Sequence, residues 1–258
     1  GYCSLFMNLG FLGTGHIAFS VIEGIFKSKL KIKKIYISPR NKIIAKKLNK
    51  RFKKVTISKN NQQLIDNSNW IFLSITPKVG LKILKDLTFK QNKKVISFIS
   101  TINCKDLIKY TKNKNISRVI PLPFIGTKKG PIIITPPDRA LKMFFKNLGK
   151  VFEVKNEKLS KAFWSTSSFM APYYQLLLST SNWLTSKGIK RKEAENYSRE
   201  LFLALTEDSI YKSKLPLKKL VSISQTPGGT NAFVLNKLKT NKFYQIQKKA
   251  LNSIYKKF

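Results

Sequence analysis

Near its start this 258-residue chain contains the sequence Asn8-Leu9-Gly10-Phe11-Leu12-Gly13-Thr14-Gly15-His16-Ile17-Ala18. This segment is the strongest indication of the fold class. It is a short apolar strand that ends in Gly-x-Gly-x-x-Ala and continues into an apolar helical pattern, which is typical of the start of a dinucleotide-binding unit. In such a unit the pyrophosphate binds backbone N–H groups at the helix N-terminus, where the peptide dipoles favour negative charge. Gly13 permits the tight turn, Gly15 lets the backbone approach the phosphates, and Ala18 keeps the helix close to the strand. A merely flexible glycine loop is the alternative, but the flanking strand and helix favour the dinucleotide interpretation.

The end of the second predicted strand, Lys34 to Ile37, indicates which dinucleotide binds. NAD-binding units place Asp or Glu there to accept hydrogen bonds from the ribose hydroxyls, whereas this chain continues Ser38-Pro39-Arg40-Asn41. Because Arg suits bidentate phosphate binding, the sequence predicts NADP, with Ser38, Arg40 and Asn41 among its ligands. Arg40 could instead cap a loop or pair on the surface, and Asn41 can also be the N-cap of a helix over 42–53.

The remaining predicted cofactor residues surround the same edge of the sheet. A strand over 70–75 is followed by Pro at the start of the next helix, as helices prefer. Its carboxyl end should lie beside the cofactor, since ligands of open α/β sheets bind outside the strand carboxyl ends. Besides Gly13, Gly15 and the second-strand residues, the predicted cofactor ligands are Thr14, His16, Ile17, Ile75, Thr76 and Pro77. His16 is expected to pack or to touch the cofactor rather than to act as a base.

Composition excludes several classes of function. The chain has one His and two Cys in different segments, a supply of residues that disfavours zinc sites and catalytic triads, so no metal is expected. The formal net charge of +38 invites nucleic-acid binding. However, only six of the 50 basic residues are Arg, and the lysines are scattered as on solvated faces. We therefore expect no specific nucleic-acid partner, although nonspecific adhesion to polyanions is expected.

The sequence also gives expectations about location. No run of 18 uninterrupted apolar residues occurs, which predicts a soluble protein without a membrane partner. Residues 1–6 precede Met7 and lack the positively charged start of a secretory signal; we interpret them either as a vector remnant or as a lead-in misjudged as coding. A cytoplasmic location is expected.

The order of patterns predicts two domains. Apolar strand-like runs alternate with helical patterns as far as 131–135, which indicates a doubly wound, Rossmann-type α/β sheet with helices on both faces. From residue 157 only helical patterns occur, over 157–187, 190–212, 217–222 and 241–258. We therefore expect an NADP-binding domain over 1–155 and an all-helical domain over 156–258. The helical domain is too small to enclose all its apolar faces, which predicts a homodimer or a higher homo-oligomer.

The order of motifs resembles that of the pyrroline-5-carboxylate reductase family over most of the chain. The resemblance is carried by the glycine turn with Ala18, Ser38-Pro39-Arg40-Asn41, the 71–78 strand and turn, Val95-Ile96-Ser97, Arg118-Val119-Ile120-Pro121 and Thr226-Pro227-Gly228-Gly229-Thr230. It implies NADPH-dependent reduction of a cyclic imine to an amino acid, most simply pyrroline-5-carboxylate to proline, and a helical dimerisation domain. It also implies a substrate carboxylate held at the Pro-Gly-Gly helix start. The substrate-binding residues implied are Pro121, Thr226, Gly228, Gly229, Thr230 and Asn231, of which Thr230 and Asn231 are the candidate catalytic residues.

Three departures from the family pattern affect the substrate pocket. Ile120-Pro121-Leu122-Pro123 stands where the family has Met-Pro-Asn-Thr, Phe169-Met170-Ala171 fills a glycine turn, and Asn231 replaces the usual second Thr. The departures suggest a divergent, paralogue-like member with a more apolar pocket, for another imine or keto acid.

Three other functions stay open at this point. One is another Rossmann reductase, such as a deazaflavin-dependent NADP reductase. A hydroxyacid dehydrogenase relative would need a catalytic Lys in the first long helix, but Lys158 and Lys161 precede the expected position and lie in no matching motif. The third is a noncatalytic NADP sensor or nucleic-acid-associated protein that kept its Rossmann unit.

Overall fold

The computed structural model describes residues 6–258, which divide into two compact units. The first comprises residues up to Trp164 together with Phe258, and the second comprises Ser165–Lys257. Residues 1–5, and so most of the segment interpreted as a vector remnant, lie outside the described range.

The first unit contains one eight-stranded sheet of order β3-β2-β1-β4-β5-β6-β7-β8. Its strands are β1 Asn8–Leu12, β2 Lys34–Ile37, β3 Val55–Ile57, β4 Trp70–Leu73, β5 Lys94–Ser97, β6 Ile116–Ile120, β7 Pro131–Thr135 and β8 Lys150–Glu153. The helices of this unit are α1 His16–Lys27, α2 Lys42–Arg51, α3 Asn61–Asn67, α4 Pro77–Leu84, α5 Cys104–Thr111, α6 Arg139–Phe145 and the start of α7 Glu157–Thr166. The predicted Rossmann-type α/β architecture is confirmed.

The strand order reverses beside β1, which pairs in parallel with β2 on one side and with β4 on the other. At such a switch point the loops after β1 and β4 separate, and their carboxyl ends form the crevice in which α/β proteins bind ligands. β4 is apolar throughout, and all four of its residues are buried, because helices cover both faces of the sheet. Phe11 and Phe72 are register partners across β1 and β4, and their rings stack with centroids 4.6 Å apart.

The far edge of the sheet differs from the sequence expectation. β7 runs antiparallel to β6, because the short connection 121–130 contains a 3-10 helix, Pro123–Thr127, rather than the long crossover that a parallel pair requires. β8, which the apolar pattern did not predict, pairs in parallel with β7. It alternates between exposed and half-buried residues, as an edge strand does.

The second unit is entirely helical. After a 3-10 turn, Ser167–Phe169, it contains α8 Met170–Ser186, α9 Arg191–Tyr211, α10 Leu217–Ile223, α11 Thr230–Thr240 and α12 Phe243–Tyr255. The continuous helix predicted over 157–187 is therefore wrong: α7 ends at Thr166 and α8 starts afresh. Pro172 explains the restart: it has no N–H to donate to the carbonyl of Ser168, four residues earlier, and its ring clashes with that carbonyl in a continuous α-helix, whereas Pro is tolerated in a first helical turn. None of the helices within residues 6–258 has the length and apolar character that crossing a membrane requires.

The division between the units falls within α7, later than the change after residue 155 that the sequence pattern predicts. The start of α7 stays with the sheet because Glu157 accepts a hydrogen bond from Arg118 of β6 at 2.9 Å. Glu157 also accepts one from the backbone N–H of Cys104 at 2.8 Å.

One ion pair joins the amino end of β5 to α6 and gives a stability prediction. Asp138 is the N-cap of α6, where it accepts from the Leu141 N–H at 2.9 Å, and it pairs with Lys94. Burial opposes the charge of Asp138, but the hydrogen bonds from Lys94 and Leu141 outweigh it and lower the pKa of the carboxyl below 3.8. The pair therefore stabilises the fold above the unfolded-state pKa, and this contribution is lost as the pH falls through the lower folded-state pKa.

We expect Asp138→Asn to lower the free energy of unfolding at pH 7 by about 1–2 kcal/mol, because the cap is kept but Lys94 loses its counter-charge. Asp138→Ala should lose about 1 kcal/mol more, since it also removes the cap. Urea unfolding at pH 7 and near pH 3 measures both effects, and the gap between wild type and Asp138→Asn should narrow at the lower pH. Equal stability of these two proteins at pH 7 would contradict the assignment.

Candidate dinucleotide site

The turn after β1 has no room for a side chain at its first glycine. Gly13 has φ +99°, in the left-handed region that favours glycine. A Cβ there would collide with the Ser74 carbonyl oxygen and lie 2.6 Å from Cγ2 of Ile75. The turn is therefore in contact with the chain that follows β4, and the predicted residues Gly13 and Ile75 lie together.

A buried serine holds this turn in place. The Gly13 N–H donates to Oγ of Ser38 at 3.0 Å, and the Ser38 hydroxyl donates to Oδ1 of Asn61 at 2.9 Å. Ser38 is only 2% exposed, so its hydroxyl proton is already used within the protein. Ser38 thus positions the turn. Its partner Asn61 could not be identified from the sequence, where it is only one polar residue at the start of a helix.

The next residues of the turn open onto free space. Gly15 is the N-cap of α1, and a Cβ built there would meet nothing within 4 Å. No side chain caps α1, and its first turn has no acidic residue, so the first N–H groups of the helix lack intrahelical partners. Thr14 is 3% exposed, and its Oγ1 has no hydrogen-bond partner among the described residues. The arrangement offers several donors to an anion at the start of a 12-residue helix.

The other predicted neighbours of the turn are less enclosed. His16 is the first residue of α1 and is exposed, whereas Ile17 is half-buried and packs against the main apolar core. Thr76 is the exposed N-cap of α4, without a side-chain cap bond, and Pro77 is the first residue of that helix.

The residues after β2 separate into two roles. Asn41 is the N-cap of α2, and its side chain accepts from the Ile44 N–H at 3.3 Å. This is the structural role that the sequence offered for it. Arg40 is exposed, and it lines a cleft of about 240 Å³ together with residues of α4. The carboxylate that NAD-binding units place here is absent from 38–41.

The segment after β6 packs against α1. Pro121 is buried, Leu122 is half-buried, and the 3-10 helix that follows contacts α1 so closely that a Cβ on Gly24 would collide with the Ile125 carbonyl oxygen. The glycine in the middle of α1 is therefore required by this approach.

A buried arginine, to which the sequence analysis gave no role, organises the carboxyl end of β5. Arg118 is 6% exposed and donates to the carbonyl oxygens of Ile99 and Ser100 at 3.1 and 2.6 Å, besides its ion pair with Glu157.

Burial and the Glu157 carboxylate raise the pKa of the Cys104 thiol to about 12. Cys104 therefore stays protonated at neutral pH and is not a thiolate nucleophile.

The second group of predicted residues belongs to the helical unit. Gly228 has φ +73°, Gly229 is the N-cap of α11, and its N–H donates to the Thr226 carbonyl oxygen at 2.8 Å. Thr226, Thr230 and Asn231 are exposed. No side chain caps α11, and its first turn has no acidic residue, so this helix start also presents unpaired N–H groups.

Three residues that depart from the family pattern lie at the start of the helical unit. Phe169 ends the 3-10 turn, and Met170 and Ala171 are the first residues of α8.

Within residues 6–258 no three His, Cys, Asp or Glu side chains form a group that could hold a metal ion. The donors around the β1 turn are N–H groups and a hydroxyl, and basic side chains line the neighbouring cleft. This set of groups suits a phosphorylated ligand.

Comparisons with known proteins agree with this geometry. Residues 8–103 match the family model described as NADP oxidoreductase, coenzyme F420-dependent. No curated protein matches the sequence significantly.

Among solved structures, 1-pyrroline-5-carboxylate reductase from Streptococcus pyogenes has 21% identity and a TM-score of 0.83, with 97% of each chain covered. Pyrroline carboxylate reductase from Plasmodium falciparum, solved with NADP bound, has 21% identity and a TM-score of 0.82, covering 97% of this chain and 96% of that one. The Coxiella burnetii enzyme has 18% identity and a TM-score of 0.79, covering 98% and 97%. The resemblance predicted from the motifs is thereby confirmed for the fold of the whole chain.

The two glycines of the turn should respond differently to the same substitution. Gly13→Ala should lower the free energy of unfolding by about 3 kcal/mol or more, because it adds both backbone strain and a collision with the Ser74 carbonyl. Gly15→Ala should lower it by no more than about 1 kcal/mol, since its Cβ enters open space. Urea denaturation of the two variants beside wild type checks this, and equal losses would contradict the described turn.

Proposed function

We propose that this chain is an NADPH-dependent reductase that acts on a cyclic imine bearing a carboxylate, most simply pyrroline-5-carboxylate. The proposal is carried by the open, uncapped start of α1 behind Gly15. It is supported by the similarity of fold to pyrroline-5-carboxylate reductases over 97% of the chain.

The cofactor would bind along the carboxyl edge of the sheet in the first unit. Its pyrophosphate would accept from the N–H groups of Gly15, His16 and Ile17 and from the Thr14 hydroxyl. The other proposed cofactor residues are Gly13, Ser38, Arg40, Asn41, Ile75, Thr76 and Pro77. Arg40, at a position without a carboxylate, favours NADP over NAD.

The substrate carboxylate would bind the second uncapped helix start. The N–H groups at the start of α11, behind Gly228 and Gly229, offer an anion the same type of site as the cofactor turn. We assign Thr226, Thr230 and Asn231 to the carboxylate and to orientation of the ring, and we propose Pro121 as a further substrate-binding residue. Leu122 and Phe169 favour substrates with more apolar surface than pyrroline-5-carboxylate.

The chemistry needs little from the side chains. When bound, NADPH supplies a hydride. A protonated imine accepts it without a strong general acid, so the residues of the chain contribute by holding and orienting the reacting groups. This agrees with a single, exposed His16 and with a protonated Cys104. Thr230 and Asn231 would be catalytic through hydrogen bonds that fix the ring.

The direct test follows NADPH absorbance with racemic pyrroline-5-carboxylate, beside NADH, other cyclic imines and 2-keto acids. We expect NADPH oxidation with at least one cyclic imine carboxylate, and loss of it in Gly15→Ala, whose methyl group occupies the space for the phosphates. If NADPH binds but no imine or keto acid is turned over, the reductase proposal is contradicted and a noncatalytic NADP sensor is favoured.

A second candidate is a deazaflavin-dependent NADP reductase, because the family model over 8–103 carries that description. The matched range lies within the cofactor unit, whereas the similarity of fold to pyrroline-5-carboxylate reductases extends over the helical unit as well. Adding oxidised coenzyme F420 to the same assay separates the two functions, since only the second candidate would transfer hydride to it.

We also propose that the active form is a homodimer joined through the helical unit. Of the hydrophobic residues in 165–257, Ala194 alone is buried, while large side chains such as Trp183, Leu205 and Ile210 are 57–66% exposed. Apolar exposure on this scale marks an interaction surface, and a second copy would cover it. The expected location, where NADPH is regenerated, is the cytoplasm.

The dimer proposal predicts that Leu201→Glu/Leu205→Glu, which places two charges one turn apart on α9, shifts the protein to monomers. A matched control is Ile43→Glu on α2, since Ile43 is 83% exposed in the first unit and its substitution should leave the dimer intact. Light scattering after gel filtration measures the mass of each variant. A monomeric wild type at micromolar concentration would refute the proposal.

A further inference from the structure

A cleft beside β2 collects positive charge from two separate elements. It has a volume of about 240 Å³ and is lined by Arg40, Lys78, Val79, Lys82 and Ile83. Arg40 belongs to the loop after β2, whereas the other four residues belong to α4. Three of the five side chains are cations, and none is a carboxylate.

This charge is unfavourable for the folded protein without a ligand. Lys78 and Lys82 are four residues apart on α4, a spacing at which like charges destabilise a helix. Lys78 also lies in the first turn, where the helix dipole disfavours a cation, and that turn has no acidic residue. Over residues 6–258, none of the three cations of the cleft forms an ion pair with a described residue.

Elsewhere, several basic residues on helices are balanced at the same spacing. Lys27 pairs with Glu23 at 3.1 Å on α1, and Lys212 pairs with Asp208 at 2.9 Å on α9. With 50 Lys and Arg against 12 Asp and Glu, most cations of the chain have no carboxylate partner. The cleft is distinguished instead by cations from two elements that line one concave site, where a bound anion would supply the missing counter-charge.

The position of the cleft identifies the anion. It lies at the carboxyl side of β2, the strand next to β1, where the adenosine ribose of a dinucleotide is held. A phosphate monoester at the ribose 2′ position would carry close to two negative charges and accept hydrogen bonds from all three cations. Val79 and Ile83 give the same cleft an apolar wall, against which a flat adenine ring can pack.

We propose that Lys78 and Lys82 of α4 bind the 2′-phosphate of NADP together with Arg40, and that they thereby determine the preference for NADP over NAD. The inference rests on the proposed cofactor and adds a second element, α4, to its recognition. The loop after β2 alone supplies one cation, whereas α4 supplies two.

The test compares wild type with Lys78→Gln/Lys82→Gln, titrated with NADPH and NADH by calorimetry at one fixed, physiological salt concentration. Gln keeps the length and helix propensity of Lys. We expect the Kd for NADPH to rise about tenfold or more, since two charge-assisted contacts are lost, and the Kd for NADH to change less than about twofold. Lys46→Gln/Lys50→Gln, an exposed pair on α2 with the same spacing and the same loss of charge, is the control and should change neither. The ligand-free double variant should melt no lower than wild type, because a like-charge pair is removed.

The outcomes separate this inference from the function on which it rests. A wild type that prefers NADPH, with no effect or equal weakening of both dinucleotides in the double variant, overturns the role of α4 and leaves the reductase proposal standing. A wild type that binds neither dinucleotide overturns both.

Discussion

The absence of room for a Cβ at Gly13 is the constraint on which the rest of the site depends. The left-handed backbone there turns the chain sharply after β1 and brings it against the Ser74 carbonyl and Ile75. Because β1 and β4 are neighbours in the sheet, this contact fixes the start of α1 relative to the chain after β4. A ligand that binds at the carboxyl edge of the sheet beside β1 and β4 therefore contacts backbone that is held in place before binding.

The polar groups around this turn divide into those that the protein uses and those that it leaves free. Ser38 and Asn61 use their hydrogen bonds to hold the Gly13 N–H, and Asn41 caps α2. Among residues 6–258, the Thr14 hydroxyl has no hydrogen-bond partner, no side chain caps the first N–H groups of α1, and the cations of the neighbouring cleft form no ion pair. The turn is held by internal hydrogen bonds, while its free donors and the nearby cations face solvent. Such an arrangement is preorganised for an anionic ligand.

Much of the fold could be predicted from the sequence, because strands that helices cover on both faces consist mostly of consecutive apolar residues. β2 and β7 begin and end where the pattern places them. β8 could not be found in this way, since its residues alternate between exposed and half-buried. The direction of β7 depends on the length of the connection before it rather than on its own residues. The break before α8 depends on Pro172, which a periodicity argument overlooks.

The candidate site was less predictable than the fold, because it depends on which side chains face one another. The sequence offered Ser38 as a hydroxyl near the ribose, but only the structure shows that this hydroxyl is bonded to Asn61. Arg40 could be singled out from its position after β2, whereas Lys78 and Lys82 were two among many scattered lysines until α4 placed them in the same cleft. In the helical unit an apolar stripe in the sequence does not distinguish buried from exposed residues, and only the structure shows that Leu205 is 57% exposed.

The proposed function requires that a dinucleotide bind with its pyrophosphate on the start of α1. Amide hydrogen exchange of the wild type with and without NADPH measures this binding, because the first N–H groups of a helix have no intrahelical acceptors and exchange freely without a ligand. We expect NADPH to slow exchange in peptides covering residues 13–18 and to leave β8 unchanged. Binding of NADPH without added protection at residues 13–18 would contradict it.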